Sequence, residues 1–215
     1  MASGLRERKR RELRDQLSLT TVLLAKEHGL ANVRVEDIVE RVGVSRRTFS
    51  NYFASKEEAI ADRHVQRTRK AAQALLERPA GEPLWDAITA VVVEPYSERL
   101  EVTAAQPREE QDSLAAVLSE PDMQDATARG SRVATEELAK AIAQRLGVDG
   151  TADILPRLVA NAALSTQLAT VDFWLRAEPA VELFPLLRAA FARLGAGFDD
   201  LRAQTLFPGR ERKHS

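Results

Sequence analysis

Apolar residues recur at intervals of three and four positions along most of the chain. This spacing places them on one face of an α-helix, and the strict alternation typical of a half-buried strand does not occur. Proline and glycine separate the helical runs. We therefore predict an all-α protein of about nine helices, at residues 10–29, 35–42, 45–52, 55–77, 83–104, 107–118, 122–146, 151–177 and 179–196.

The segment from residue 34 to residue 60 predicts two short helices around a tight turn, followed at once by a third helix. A helix-turn-helix has this layout, and its second helix enters the major groove of DNA. The signals are apolar spacing at Val35, Ile38, Val39 and Val42, a helix end at Gly43, an N-cap at Ser45, and inward aromatic side chains at Phe49 and Phe53.

The second of these helices has a polar outer face. Two arginines in its first turn oppose the helix dipole, at a cost of about 0.3–1 kcal/mol each when exposed. An approaching polyanion would offset that cost, because Arg grips phosphate oxygens or pairs with two acceptor atoms of guanine. We therefore predict DNA recognition, with a solvated basic turn as the alternative. The outward residues are Arg47, Thr48, Ser50 and Asn51, and Arg46 and Tyr52 lie on the flanks.

The next helix begins with Ser55-Lys56-Glu57-Glu58, which predicts a capping box. In this motif Ser55 accepts a hydrogen bond from the Glu58 amide, and Glu58 reaches back. The free amides at the helix start, with Lys56 beside them, predict a phosphate contact. The alternative is a merely solvated lysine.

This segment resembles the DNA-binding domain of the tetracycline-repressor (TetR) family of bacterial regulators. The resemblance covers about residues 10–65 and is carried by Val35, Asp37, Ile38, Gly43-Val44-Ser45, Thr48-Phe49, Tyr52-Phe53 and Ser55-Lys56-Glu57. It implies that Arg46, Arg47 and Ser50 face base edges and that Thr48, Tyr52 and Lys56 hold phosphates. Arg34 stands where the family usually has a capping Thr or Ser, so either the cap is weaker or Arg34 contacts phosphate. Ser50 stands where the family often has an aromatic residue.

The last two predicted helices, 151–177 and 179–196, are apolar around much of their circumference. Such helices need contacts on two sides, and one side can be a partner chain. The family resemblance implies a homodimer joined through these two helices of each subunit. Twofold symmetry then predicts a pseudo-palindromic operator, with one recognition helix for each half-site.

The family resemblance also implies an effector pocket among the middle helices. Each apolar candidate could equally be plain core, and the two arginines, Arg129 and Arg132, either select an anionic ligand or are surface charges. The stretch RRTFSNYF, together with Trp174, resembles a subgroup with an acyl-CoA-like ligand domain, which implies an acyl-CoA or another lipophilic effector. The pocket candidates are Trp85, Ile88, Val92, Leu114, Leu118, Arg129, Val133, Gln167 and Trp174.

Composition narrows the class of protein further. The 215 residues include no cysteine, which excludes disulfides and thiolate metal sites. The histidines, His28, His64 and His214, have no metal-ligand spacing, and no paired nucleophile and base is recognisable. We therefore predict neither an enzyme nor a bound cofactor. Since no signal peptide and no stretch of roughly 18–20 apolar residues is found, we expect a cytoplasmic protein.

The formal net charge of −1 conceals an uneven distribution. Residues 1–70 carry 16 Lys and Arg against 10 Asp and Glu, whereas residues 71–215 carry 15 against 22. A basic N-terminal region is expected of a protein that binds nucleic acid through one end. The excess predicts either an arm on the DNA or a solvated tail. It is clearest at Arg6, Arg8, Lys9, Arg10, Arg11 and Arg14.

These observations predict a DNA-binding domain at residues 1–54, an effector-binding and dimerisation domain at 55–197, and a tail at 198–215. Helix 55–77 belongs to both domains and links them. The leading hypothesis is a homodimeric repressor that a small apolar or amphipathic molecule releases from its operator. One alternative is a DNA-binding activator or architectural factor without a small-molecule effector. Another is a helical enzyme or carrier in which the motif is only a packing corner.

Overall fold

The computed structural model describes residues 2–96, 108–178 and 181–197. Within these ranges the chain forms helices and no strands, which confirms the all-α prediction. Two short 3₁₀ turns, Leu30–Asn32 and Glu94–Tyr96, extend the helical structure. The α-helices are α1 (Ala2–His28), α2 (Val35–Val42), α3 (Arg46–Ser50), α4 (Lys56–Glu77), α5 (Leu84–Val93), α6 (Arg108–Ser119), α7 (Pro121–Leu146), α8 (Leu155–Arg176) and α9 (Leu183–Gly195).

The first helix begins eight residues earlier than predicted, at Ala2 rather than at residue 10. The predicted basic arm is therefore a helical extension. Arg, Lys, Glu and Leu are all good helix formers. Arg8 Nε also donates to Glu12 Oε1 at 2.8 Å, one helical turn away.

Other helices are shorter than their patterns predicted. The helix predicted at 83–104 ends at Val93 and passes into a 3₁₀ turn, and residues 181–182, predicted as helix, precede the ninth helix, which begins at Leu183. The eighth begins at Leu155 instead of residue 151 because Pro156 is tolerated only in a first turn, where its missing N–H is not needed. The third ends at Ser50, and the chain turns at residues 51–52. Residues 97–104, 107 and 179–180, which were predicted to be helical, and the predicted tail at 198–215 lie outside the described residues.

The described residues form two apolar clusters. The first surrounds α1–α3 and the turn into α4, a unit (residues 2–55) that we call the reading head. Its core also takes Ala59 and Ala61 from α4 and Met123 and Ala126 from the start of α7. The reading head is therefore packed directly on two helices of the C-terminal part.

The second cluster joins α4, α5, α7, α8 and α9. The most extensive packing is between α4 and α7. Gly130 of α7 allows close approach there, since a Cβ at this position would lie 3.5 Å from Val65 Cγ2. Because α4 contributes buried residues to both clusters, it links them mechanically. No helix in the described ranges is long and apolar enough to cross a membrane.

Candidate nucleic-acid interface and effector cavity

The turn between α2 and α3 is built on Gly43. Its φ of 78° and ψ of 36° lie in the left-handed region, which side chains other than glycine rarely adopt. The amides of Gly43 and Val44 both donate to Val39 O at 2.9 Å, which satisfies the end of α2. The turn therefore aims α3 away from α2 at a fixed angle.

Helix α3 is oriented by one cap and two aromatic rings. Ser45 Oγ accepts a hydrogen bond from the Thr48 amide at 3.0 Å. Phe49 and Phe53 are each 1% exposed, and their ring centroids lie 5.7 Å apart. With this side of α3 anchored in the core, the opposite side faces solvent, and Arg46, Arg47, Ser50 and Asn51 are all exposed there.

The two arginines of α3 differ in their surroundings. Arg46 Nη1 donates to Glu36 Oε1 at 2.8 Å, and both side chains are largely exposed. Such a pair contributes roughly 0–1 kcal/mol, so DNA can displace it readily. Arg47 makes no ion pair with the described residues and is exposed. Unlike Arg46, Arg47 therefore has no ion pair with the described residues to break when it binds an anion.

The remaining α3 candidates are less exposed. Thr48 is half-buried, and its hydroxyl lies 2.9 Å from Ser45 Oγ. Tyr52 is also half-buried, with its ring 6.4 Å from that of Phe53. Packing fixes the direction of both side chains, which suits groups predicted to hold phosphates at a set register.

Arg34 precedes α2 as its N-cap residue, and its side chain makes no capping hydrogen bond. Instead, the Arg34 amide donates to Asp37 Oδ2 at 2.8 Å. The cap is thus one-sided, since a guanidinium has no acceptor to offer the first turn. The exposed Arg34 side chain is left available for a phosphate.

Lys56 does not point freely into solvent. Its Nζ donates to Leu30 O at 2.6 Å and to Val33 O at 3.0 Å, and its side chain is 21% exposed. Two of its three donors therefore hold the loop between α1 and α2, and one remains for a phosphate. The sequence missed this structural role because the acceptors lie more than twenty positions away.

The start of α4 forms the predicted cap with one change of partner. Ser55 Oγ accepts from the Glu58 amide at 3.2 Å. Glu58 Oε2 accepts from the amide of Ala54, at 2.7 Å, rather than from that of Ser55. The side chain thus reaches one residue further back, and the start of α4 is firmly joined to the end of the reading head.

Arg14, predicted as part of the basic arm, is an internal connector. Its guanidinium makes two hydrogen bonds to Asp62 of α4, at 2.8 and 3.0 Å. It also lies 4.6 Å from the centre of the Phe53 ring and donates to Tyr52 O at 3.4 Å. One side chain therefore joins α1, the residues after α3, and α4.

A cavity of 480 Å³ lies between α4, α5 with its 3₁₀ extension, and α8. This volume falls within the ~300–1,000 Å³ usual for small-molecule sites. Its walls combine apolar residues with several charged and amide side chains. The lining residues are Arg63, Gln66, Arg67, Thr68, Lys70, Ala71, Ala74, Ala90, Val91, Val92, Glu94, Pro95, Tyr96, Leu164 and Gln167.

Only two of the predicted pocket residues, Val92 and Gln167, line this cavity. Trp85 instead stacks on Phe191, with ring centroids 5.5 Å apart, and donates its Nε1–H to the Phe191 carbonyl at 2.9 Å. The Trp174 indole likewise donates to Val181 O at 2.8 Å. Both tryptophans therefore connect α9 to its neighbours and do not line this cavity.

The other pocket candidates lie elsewhere for similar reasons. Ile88 is fully buried in the core, and Leu114 and Leu118 pack against that core. Arg129 and Val133 are exposed on α7 and do not line the cavity. Arg132 borders a separate groove between α7 and α8.

Most of the charged and amide lining residues that the sequence missed are on α4. Arg63, Gln66, Arg67 and Lys70 recur at helical spacing, and all four face the cavity. This polar stripe is visible in the sequence, but such a stripe usually faces solvent. Only the position of α5 shows that it borders a cavity.

Helix α8 leaves large apolar side chains in solvent. Ile154 is 68% exposed, Leu155 46%, Leu158 54% and Phe173 47%. A cluster of exposed apolar residues on one helix is typical of a protein interface. It coincides with the helix for which the sequence predicted a partner chain.

Comparisons with known proteins agree with this arrangement. Residues 20–61 match the bacterial regulatory proteins of the tetR family, and residues 82–199 match the MftR C-terminal domain. Over 195 residues, the chain is 31% identical to the proposed mycofactocin biosynthesis transcriptional regulator MftR of Mycobacterium tuberculosis, which covers 90% of this chain and 95% of that protein. It is 36% identical over 186 residues to the HTH-type transcriptional regulator TcmR of Streptomyces glaucescens, covering 83% of this chain and 80% of TcmR.

A solved structure has the same fold. It comes from Syntrophomonas wolfei and is described as a TetR-family transcriptional regulator. The superposition has a TM-score of 0.56 at 15% sequence identity, and it covers 87% of this chain and 96% of the other.

Proposed function

Since this chain belongs to the TetR family of DNA-binding transcriptional regulators, with an MftR-type C-terminal domain, we propose that it is a ligand-released homodimeric repressor. Its family is one of regulators and not of enzymes. The dimer binds a pseudo-palindromic operator in the cytoplasm through the exposed face of α3. A small apolar or amphipathic molecule, acyl-CoAs included among the candidates, occupies the cavity beside α4 and releases the DNA.

The observation that carries this proposal is a residue shared by the cavity and the connection to the reading head. Gln66 lines the cavity, and its Nε2 donates to Asp62 Oδ2 at 3.2 Å. Asp62 in turn holds Arg14, which contacts the backbone and ring of the residues that follow α3. A ligand that moves Gln66 would therefore act on a continuous polar chain that ends at the residues directly after the recognition helix.

Release requires a difference in affinity. A ligand that bound the DNA-competent and DNA-free conformations equally would shift nothing. A preference of about 1.4 kcal/mol for the DNA-free conformation weakens operator binding tenfold. Repacking of a few contacts along α4 is sufficient for a change of this size.

The exposed apolar side chains of α8 support the proposal that the protein is a dimer. With one reading head in each subunit, the distance between the two recognition helices must match the spacing of the two half-sites, about 34–36 Å. A small tilt of α4 changes that distance. The cavity can thus control DNA affinity without touching the DNA surface.

The experiment begins with selection of bound sequences from random DNA. We expect an enriched inverted repeat, and its absence would contradict the operator assignment. Metabolite extracts and defined amphipaths are then titrated against the complex with the selected duplex. Release by at least one fraction is expected under the repressor proposal, whereas an activator or architectural factor without an effector would stay bound throughout.

The role of Gln66 is tested with a matched pair of variants on one helix. Gln66→Leu removes the hydrogen bond to Asp62, and Gln73→Leu makes the same change at an exposed position of α4. We expect Gln66→Leu to keep operator affinity but to need a higher ligand concentration for release. Gln73→Leu should behave like the unmodified protein.

A further inference from the structure

The cavity beside α4 carries an excess of positive charge along one wall. Arg63, Arg67 and Lys70 line it from α4, and among the described lining residues Glu94 is acidic. The Arg67 Nε is buried and has no hydrogen-bond partner among the residues that the structure describes. A buried donor without a partner costs roughly 1–3 kcal/mol, more when it is charged. A ligand that presents an anionic oxygen there recovers that cost.

A second unpaired polar group lies on the opposite wall. Gln167 is 5% exposed, and its Nε2 donates to the Tyr96 hydroxyl at 2.7 Å. Its Oε1 is buried and has no partner in the described part of the chain. If the amide turned by half a rotation, its NH₂ group would be left unpaired instead. A hydroxyl group satisfies either arrangement, because it both donates and accepts.

Much of the remaining lining of this cavity is apolar. It is formed by Ala71 and Ala74 of α4, Val91 and Val92 of α5, and Leu164 of α8. From Arg63 to Ala74 the cavity follows α4 for about 16 Å at 1.5 Å for each residue. The space is therefore elongated, with an apolar body and polar groups on facing walls.

We propose that the effector of this site is a hydroxylated organic anion. Its acid group pairs with Arg67, with Lys70 adding to the attraction, its hydroxyl pairs with the Gln167 amide, and its hydrocarbon body fills the apolar stretch. This inference rests on the proposed function and specifies the ligand class of the same cavity. The acid is a carboxylate or a phosphate, since both offer the oxygens that a guanidinium prefers.

The test uses the full-length protein without DNA, so that it does not depend on the operator. Binding is measured by calorimetry with ω-hydroxy fatty acids of increasing chain length. At each length the comparison compounds are the plain fatty acid, the diol, the amino alcohol and the ω-hydroxyalkyl phosphate. We expect the hydroxy acid or the hydroxy phosphate to bind roughly tenfold or more tightly than the plain acid and the diol. The stronger of the two identifies the acid group.

Two variants assign these preferences to residues. Arg67→Met should remove the preference for acid over diol, and Gln167→Leu should remove the preference for hydroxylated over plain acids. Lys140→Met, at an exposed position of α7, is the control for loss of one charge. Gln167→Leu also removes the hydrogen bond to the Tyr96 hydroxyl, so the melting temperature and circular dichroism of each variant are compared with those of the unmodified protein, which separates a binding effect from misfolding.

Several results would overturn this inference. They are equal or tighter binding of the diol or amino alcohol, no binding by any compound of the series, or unchanged preferences in both variants. If a neutral metabolite nevertheless releases the operator in a Gln66-dependent way, the proposed function stands and only the ligand class is rejected.

Discussion

Arg14 of α1 and Asp62 of α4 form a two-point ion pair, with Nη2 2.8 Å from Oδ1 and Nε 3.0 Å from Oδ2. The Asp62 side chain is 3% exposed and that of Arg14 29%. Two nearly parallel hydrogen bonds fix the direction of the guanidinium as well as its position. The same guanidinium lies over the Phe53 ring, so this pair fixes the position of the reading head relative to α4.

Breaking this pair should lower stability more than breaking an exposed one. Asp62→Asn keeps the size of the side chain but leaves a partly buried guanidinium without its counter-charge. We expect the free energy of unfolding to fall by about 2–3 kcal/mol, measured by urea denaturation. Glu12→Gln, which breaks the exposed pair with Arg8, is the control and should leave the free energy of unfolding nearly unchanged. Equal effects of the two variants would contradict the connector role of Arg14.

Arg47 should contribute directly to operator binding. Arg47→Ala removes an exposed cation whose charge no described residue offsets, and we expect operator affinity to fall by about 1–3 kcal/mol. Fluorescence anisotropy at moderate salt measures the change. Lys140→Ala removes one charge on α7 and should leave affinity within twofold or so. An unchanged affinity in Arg47→Ala would exclude this residue from the interface.

Lys56 should stabilise the protein even without DNA. Lys56→Met keeps most of the aliphatic side chain but removes the donors to the carbonyls of Leu30 and Val33. We expect the free protein to lose about 1–3 kcal/mol of stability, since hydrogen bonds from a charged group are involved. Thermal denaturation measures this loss. A lysine that only contacts phosphate would leave the melting temperature of the free protein unchanged.

The exposed apolar residues of α8 should hold the dimer together. Leu158→Glu places a charge on the proposed interface, where its desolvation opposes association. We expect monomers by size-exclusion chromatography with light scattering, and a large loss of operator affinity because the two half-sites are no longer linked. Leu23→Glu introduces the same charge on α1, at a side chain of comparable exposure, and should leave the dimer intact. A stable dimer in Leu158→Glu would place the interface elsewhere.

His64 should make stability depend on pH. Burial, with a smaller effect of the Arg67 charge, lowers the pKa of His64 to about 4. Between pH 4 and its ordinary pKa of about 6.5, the unfolded chain binds a proton that the folded chain does not, so stability rises with pH across this window. The full effect is about 3 kcal/mol.

This dependence is measured by urea denaturation at a series of pH values. His64→Gln should flatten the profile between pH 4 and about 6.5, whereas His28→Gln, at an exposed position, should keep it. A profile that is the same in His64→Gln and the unmodified protein would show that His64 becomes protonated without unfolding.

The helix-turn-helix could be predicted because its signals are local. Gly43 allows the left-handed turn, Ser45 caps the next helix, and Phe49 and Phe53 lie on its inner face, all within eleven positions of one another. Each of these effects acts through the backbone of its own segment. No knowledge of distant residues was needed.

The lining of the cavity beside α4 differs more from the sequence-based prediction. Trp85 and Trp174 are large and apolar, as pocket residues often are, but their N–H groups bind carbonyls near and within α9. Conversely, Arg67 and Gln66 have the polarity of surface residues, yet they line the cavity. Residue type alone cannot tell a side chain that lines the cavity from one that does not. The difference depends on which helix lies opposite that side chain.

The helices, the reading head and its outward polar face could be predicted from the amino-acid pattern, since hydrophobic spacing, caps and glycine conformation act over a few residues. The roles of Arg14 and Lys56 as internal connectors, and of the polar stripe of α4 as a cavity wall, became visible in the packed fold. Those roles depend on partners far apart in the chain, such as Asp62 for Arg14 and Leu30 for Lys56. A charged side chain has the same local signal whether its partner is solvent, DNA or a distant helix, and packing alone selects among them.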